Sequence, residues 1–192
     1  MKNKGKLFVI SGPSGVGKTT IRNEILKTYK NFWYSISMTT RKKRENEQNK
    51  IDYYFVTKEE FIKNIKENNF FEYAEVYKNI FYGTPKNKVI EKLNQGTNVI
   101  LEIDVEGALN IQNEYNEAIL IFICPPDIQE LKKRLLQRQT DDAKVIEERI
   151  NKAEYEISFK NEYDYIIINN NLEIAIKEIK QIIEKELNTK TQ

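Results

Sequence analysis

One run of residues constrains this chain more than any other: Gly12-Pro13-Ser14-Gly15-Val16-Gly17-Lys18-Thr19-Thr20. The apolar stretch Leu7-Phe8-Val9-Ile10 leads into it, and the helix-forming sequence IRNEILKTY follows at once. The order is strand, glycine-rich loop, helix, and the loop fits the pattern G-x-x-x-x-G-K-[ST]. Glycines at positions 12, 15 and 17 allow a backbone path whose N–H groups point inward, with no Cβ to hold a phosphate away. The helix that starts near Lys18 adds the positive end of its dipole. Lys18 then reaches the β- and γ-phosphates, and the Thr19 hydroxyl is placed to help hold Mg2+. The segment predicts a nucleoside triphosphate site.

Beyond this loop, buried-type strands alternate with helices. Strands are predicted at about 6–10, 33–38, 52–56, 70–76, 80–82, 98–104, 119–124 and 165–168. Helices are predicted at about 18–29, 57–68, 85–95, 108–115, 128–137, 143–160 and 172–187, with Thr57 and Glu60 forming a capping box. Continuous apolar strands between helices imply a parallel sheet covered on both faces. The short alternating strands between about 36 and 82 read instead as a small mixed lobe inserted into that α/β core. At 192 residues the chain is near the upper end for one domain.

Composition removes several classes of function. With 31 basic and 29 acidic residues, a net charge of +2 lacks the strongly basic footprint of a duplex-DNA binder. The absence of histidine excludes His-based triads, imidazole bases and His-ligated metals. The single cysteine, Cys124, lies in the apolar run 119–124 and reads as a small buried hydrophobe. No apolar run approaches ~18 residues, and the start, MKNKGK, has no secretory apolar region, so no membrane contact and a cytoplasmic location are expected. Oligomeric state is not set by the sequence.

Two further segments carry chemistry. In Ser37-Met38-Thr39-Thr40-Arg41-Lys42-Lys43-Arg44, two arginines three apart follow a row of hydroxyls and suit forked hydrogen bonds to a second phosphate. On charge alone, a solvated basic loop reads equally well. In Leu101-Glu102-Ile103-Asp104-Val105-Glu106-Gly107, acidic residues end a buried strand, where they meet Mg2+ or substrate or simply face water.

Taken together and in order, these segments resemble the guanylate kinase family over almost the whole chain. GPSGVGKTT resembles that family's opening loop, SMTTRKKR its S-x-T-T-R-x-P-R segment and YGTP its Y-G-[ST] segment. LEIDVEGA is similar to its strand-end motif, and RLLQRQT, with Arg149 following, to its lid motif R-L-x-x-R-G-T. The resemblance implies a P-loop NTPase-type fold: one domain over 1–192, with a core at about 1–35, 84–137 and 160–192. It further implies a small mixed α/β GMP-binding lobe at about 36–83 and a helical lid at about 138–159. The implied reaction is transfer of the γ-phosphate of ATP to GMP with Mg2+, the partners being these small molecules and no nucleic acid. Whether dGMP is also used stays open.

The resemblance also assigns residues. Residues 12–20 and Asn169 fall at ATP positions, and Lys18, Arg41, Arg138 and Arg149 at catalytic ones. Ser37, Arg41, Arg44, Tyr53, Glu72, Tyr82, Thr84, Glu102 and Asp104 fall at GMP positions, with Arg41, Arg44, Tyr53 and Tyr82 on the phosphate. Thr19 and Asp104, directly or through water, fall near the metal. For Glu72 the chemistry agrees: guanine offers N1–H and N2–H donors that a carboxylate accepts, whereas adenine offers an acceptor at N1. Closure of lobe and lid over both substrates is the implied way to exclude water.

Some positions depart from the family pattern. Lys43 stands for a proline, Asn46 for a glycine and Gln139 for the lid glycine, and KNIFYG is one residue longer than the usual G-N-Y-Y-G. The extra residue predicts a displacement of Tyr82 and Thr84 relative to the base. Three other readings fit the sequence less well. A kinase for another acceptor is opposed by Glu72 with Ser37 and Thr84. A non-catalytic guanylate-kinase-like binding module is opposed by the intact phosphate loop, and a GTPase switch, whose N-K-x-D pattern occurs here as Asn49-Lys50-Ile51-Asp52, by the order of the guanylate-kinase-like segments along the whole chain.

Overall fold

The structure, a computed structural model, describes residues 4–77, 79–137 and 143–189. Its strands are β1 (Leu7–Ser11), β2 (Phe32–Tyr34), β3 (Met38–Thr39), β4 (Tyr54–Phe55), β5 (Phe70–Tyr77), β6 (Ile80–Pro85), β7 (Asn98–Glu102), β8 (Ile119–Cys124) and β9 (Tyr165–Ile168). Its helices are α1 (Lys18–Thr28), α2 (Lys58–Lys66), α3 (Lys86–Asn94), α4 (Val105–Glu114), α5 (Ile128–Gln137), α6 (Ala143–Ser158) and α7 (Leu172–Asn188). One sheet has the order β2-β7-β1-β8-β9, and its β2–β7 and β8–β9 pairs run parallel. The second, β4-β3-β6-β5, is mixed. This is the expected α/β architecture, a parallel sheet flanked by helices, with a second, small mixed sheet.

The chain gathers into two compact units, Met1–Phe8 with Asn31–Ala118 and Val9–Lys30 with Ile119–Gln192. In the first, residues 33–38 do not form the single strand that their alternation predicts. Ser35 still donates to the Ile100 carbonyl beside β7, but two residues later the Ser37 carbonyl accepts from Tyr54 in the mixed sheet. The segment changes sheets between these bonds, so it breaks into β2 and β3. The mixed sheet is held by aromatics: Phe61 of α2 is fully buried and stacks on Phe70 at 4.5 Å, with Phe81 at 5.6 Å. The Thr57–Glu60 capping box that starts α2 is present as predicted.

In the second unit, all six residues of β8 are buried, and Cys124 among them is an 8% exposed small hydrophobe. Burying each large side chain of such a strand contributes about 1.5–3 kcal/mol. α7 presents Ala175, Ile179 and Ile183, spaced four apart, as its buried stripe. Leu131 and Leu135 of α5 pack with Ile146, Ile150 and Ala153 of α6. No helix among the described residues is long and apolar enough to cross a membrane.

Candidate active site

The glycine-rich loop lies between β1 and α1. Gly12 adopts φ +136, and a Cβ there would stand 2.2 Å from the Ile123 carbonyl oxygen of β8, so backbone and space both demand glycine. Gly17, at φ +101, is the N-cap of α1 and supplies no side-chain cap, and the first turn holds no acidic residue. The positive end of the α1 dipole is therefore not neutralised from within its own helix. Lys18 Nζ donates to the carbonyls of Gly12 and Pro13 at 2.5 and 2.9 Å, which folds the side chain over the loop. Val16 is buried, whereas Thr19 and Thr20 occupy the exposed first turn of α1.

Two distant residues are tied to this loop. Arg149 of α6 donates to the Ser14 hydroxyl at 2.9 Å, although on its charged helix it reads as a solvated cation. Asn169, 4% exposed just after β9, donates to the Val16 carbonyl at 2.8 Å. The three successive asparagines thus separate in task, because Asn171 instead caps α7 by accepting from Glu173 and Ile174. Arg138 lies outside the described residues.

The second cluster belongs to the mixed sheet and its neighbours. Arg41 Nε donates to the Tyr82 hydroxyl at 3.0 Å, and its two terminal nitrogens donate to both oxygens of Glu47 at 2.9 and 2.7 Å. The guanidinium also lies over the rings of Tyr53 and Phe55, at 5.4 and 5.6 Å from their centroids. Burial alone lowers the pKa of Arg41, but Glu47 and Tyr82 outweigh it and raise the net value. Burial likewise pushes Glu47 upward, and the hydrogen bonds from Arg41 and the Arg44 backbone, together with the charges of both arginines, more than reverse it. The Tyr53 phenol is held well above its usual range, first by burial and then by Tyr34 and Glu102, so it is a neutral donor. Arg44 joins only in part: its backbone N–H donates to Glu47 at 2.8 Å while its side chain is 61% exposed.

Two acidic residues come together near the start of α4. Glu72 of β5 is 7% exposed and accepts from the Thr84 hydroxyl of β6 at 2.6 Å. Its pKa is pushed up to about 8, first by burial and secondarily by the charge of Asp104, with Thr84 acting in the other direction. Asp104 is the N-cap of α4: Oδ1 accepts from the Gly107 N–H at 3.0 Å, while Oδ2 is buried with no hydrogen-bond partner among the described residues. Such an orphaned carboxylate oxygen suits a cation, a bound water or a base amino group. Glu102 ends β7, and Ser37 is buried just before β3. The extra residue before Tyr82 does not separate Thr84 from Glu72. The β5–β6 ladder shifts register between Phe70 and Glu72 and between Glu75 and Tyr77, leaving Glu72 opposite Thr84 and Ala74 opposite Tyr82.

A family model described as guanylate kinase matches residues 4–186. The chain belongs to the guanylate kinase family. It is 49% identical to the guanylate kinase of Clostridium tetani over 95% of this chain and 87% of that protein. Against the guanylate kinase of Lactococcus lactis it is 46% identical, with 97% and 90% covered. Among solved structures, the guanylate kinase from Anaplasma phagocytophilum superimposes with a TM-score of 0.83 at 33% identity, covering 98% of this chain and 89% of that one.

One residue of this guanylate kinase site escapes a reading of the sequence. Glu47 holds Arg41 by both oxygens, yet it lies six positions away along an irregular loop, where neither helical nor strand spacing marks a contact. Only the excess of arginine in that loop hints that a carboxylate is needed nearby.

Proposed function

We propose a division of labour for the reaction of this enzyme, the ATP-dependent phosphorylation of GMP. The observation that carries it is the buried Glu72–Thr84 pair beside Asp104. A carboxylate and a hydroxyl at one buried point match the donors and acceptors of a guanine edge, and a site built on such pairing rejects adenine by orders of magnitude. Arg41, Tyr53 and Tyr82, already associated, take the GMP phosphate, with Arg44 joining from the rim and Ser37 nearby. Glu102 and Asp104 complete the base side. We assign this lobe to about 36–83 and the lid to about 138–159.

On the ATP side, the loop 12–17, the start of α1 with Thr19 and Thr20, and Asn169 surround the triphosphate. Lys18 and Arg149, with Arg138 assigned by family position, offset the charge that spreads over the transferred phosphoryl group. Mg2+ would supply charge neutralisation on the phosphates, with Thr19 and Asp104, directly or through water, as the holders assigned by family position. The attacking atom is an oxygen of the GMP phosphate, whose second pKa of about 6 leaves it largely ionised at neutral pH. No protein base is needed, so catalysis consists of alignment and charge compensation. A cytoplasmic location suits an enzyme of free nucleotides with a single buried cysteine.

Separate titrations of the two nucleotides test the division. Glu72→Gln is expected to weaken GMP binding at least tenfold and leave ATP binding within twofold, and Lys18→Ala to do the reverse. A variant that lowers both affinities equally would refute it.

A further inference from the structure

We propose that Gly107 is a positioning residue for guanine recognition, because its missing side chain provides the space in which the Glu72 carboxylate closes against the start of α4. This rests on the reading of Glu72 as the guanine acceptor. Gly107 is buried in the first turn of α4, and its φ is not in the left-handed region that demands glycine. Alanine is the better helix former at such a position, so the backbone gives no reason for glycine here. The surroundings do. A Cβ on Gly107 would lie 2.7 Å from Glu72 Oε2, 3.1 Å from its carboxyl carbon and 3.3 Å from Asp104 Oδ1.

Neither carboxylate has an easy retreat. Glu72 Oε1 is fixed by the Thr84 hydroxyl at 2.6 Å, and Asp104 Oδ1 by the Gly107 N–H at 3.0 Å. The atom that would yield is the far end of the Glu72 side chain, not backbone, so an added methyl displaces the carboxylate and spares the helix. A displacement of several tenths of an ångström is enough to misalign paired hydrogen bonds, which weaken steeply away from linear geometry. Gly107 therefore sets where the guanine edge must sit without touching the nucleotide.

The test is a mutant cycle on the full chain, read as KM for GMP, KM for ATP and the GMP-over-AMP preference. Gly107→Ala is expected to raise KM for GMP by tenfold or more and to erode the preference, with KM for ATP within twofold of wild type. In a Glu72→Ala background, where no carboxylate remains to be displaced, the same substitution is expected to change KM for GMP by less than twofold. An equal loss in both backgrounds, or an unchanged KM in Gly107→Ala, overturns the proposal. If Gly107→Ala does not fold, the clash account requires that Glu72→Ala/Gly107→Ala fold again, and failure of the double variant overturns it too. Should Glu72→Ala alone keep the wild-type KM for GMP, the guanine-acceptor reading is what fails.

Discussion

Replacing Glu72 by glutamine should weaken the enzyme and strengthen the fold, and both effects can be sized. In function, a carboxylate that accepts two guanine N–H groups becomes an amide whose NH2 faces one of them. Losing a charge-assisted bond and opposing two donors costs roughly 3–4 kcal/mol, a hundred- to thousandfold in kcat/KM for GMP. In stability, the carboxyl pKa rises on folding from its ordinary 4.5 to about 8. A raised acid contributes stability that is fully present below the unfolded value and is lost as pH climbs through the folded one. At about 1.4 kcal/mol per pH unit, the loss is on the order of 1 kcal/mol by pH 5, 3 by pH 7 and 5 above pH 8.5. Glutamine does not titrate and keeps the size needed to meet Thr84. The melting temperature of Glu72→Gln relative to wild type is therefore expected to rise by roughly 5–10 °C between pH 5 and pH 7, taking about 2–4 °C per kcal/mol for a chain of this size, and to level off above about pH 8.5. Paired thermal melts across that range, without nucleotide, read this directly. A difference that stays flat with pH would refute the claim that Glu72 is buried protonated.

Other outcomes follow from the same geometry. GMP binding near pH 7 should release close to one proton, since Glu72 must ionise beside Asp104 to accept both guanine donors, and titration calorimetry in buffers of different ionisation enthalpy counts it. Glu47→Gln removes the bidentate partner of Arg41 and should raise KM for GMP about tenfold, the equivalent of roughly 1.4 kcal/mol, with KM for ATP unmoved in steady-state assays. Lys18→Ala should lower kcat by at least about a hundredfold, with circular dichroism unchanged. Gly12→Ala meets the Ile123 carbonyl and should cost several kcal/mol, visible as a fall in the denaturant midpoint.

The parts of the fold legible in the sequence are those where local pattern and tertiary context agree. β8 and α5 occupy the predicted 119–124 and 128–137, with the Asp127 carboxylate accepting from the Glu130 N–H at the start of α5, and Tyr165–Ile168 is a strand as predicted. The sheet change at Ser35–Ser37 was not legible, because alternation marks an extended backbone without naming its partner. In the site, the phosphate loop is written in consecutive residues, so its glycines and Lys18 announce themselves. Arg149 could not be assigned from its own neighbourhood, because its contact with Ser14 spans 135 positions. Glu47 and Gly107 were silent for related reasons: one lies in an irregular loop, and the other acts by an absence whose meaning depends on a carboxylate from another strand.

The most direct test of the account is ADP formation by the purified enzyme with Mg-ATP and GMP, AMP, CMP or UMP supplied one at a time. The account predicts rapid turnover with GMP and a preference of at least a hundredfold over AMP, since only guanine satisfies the Glu72–Thr84 pair. Comparable turnover with AMP or a pyrimidine nucleotide would contradict guanine recognition by that buried pair.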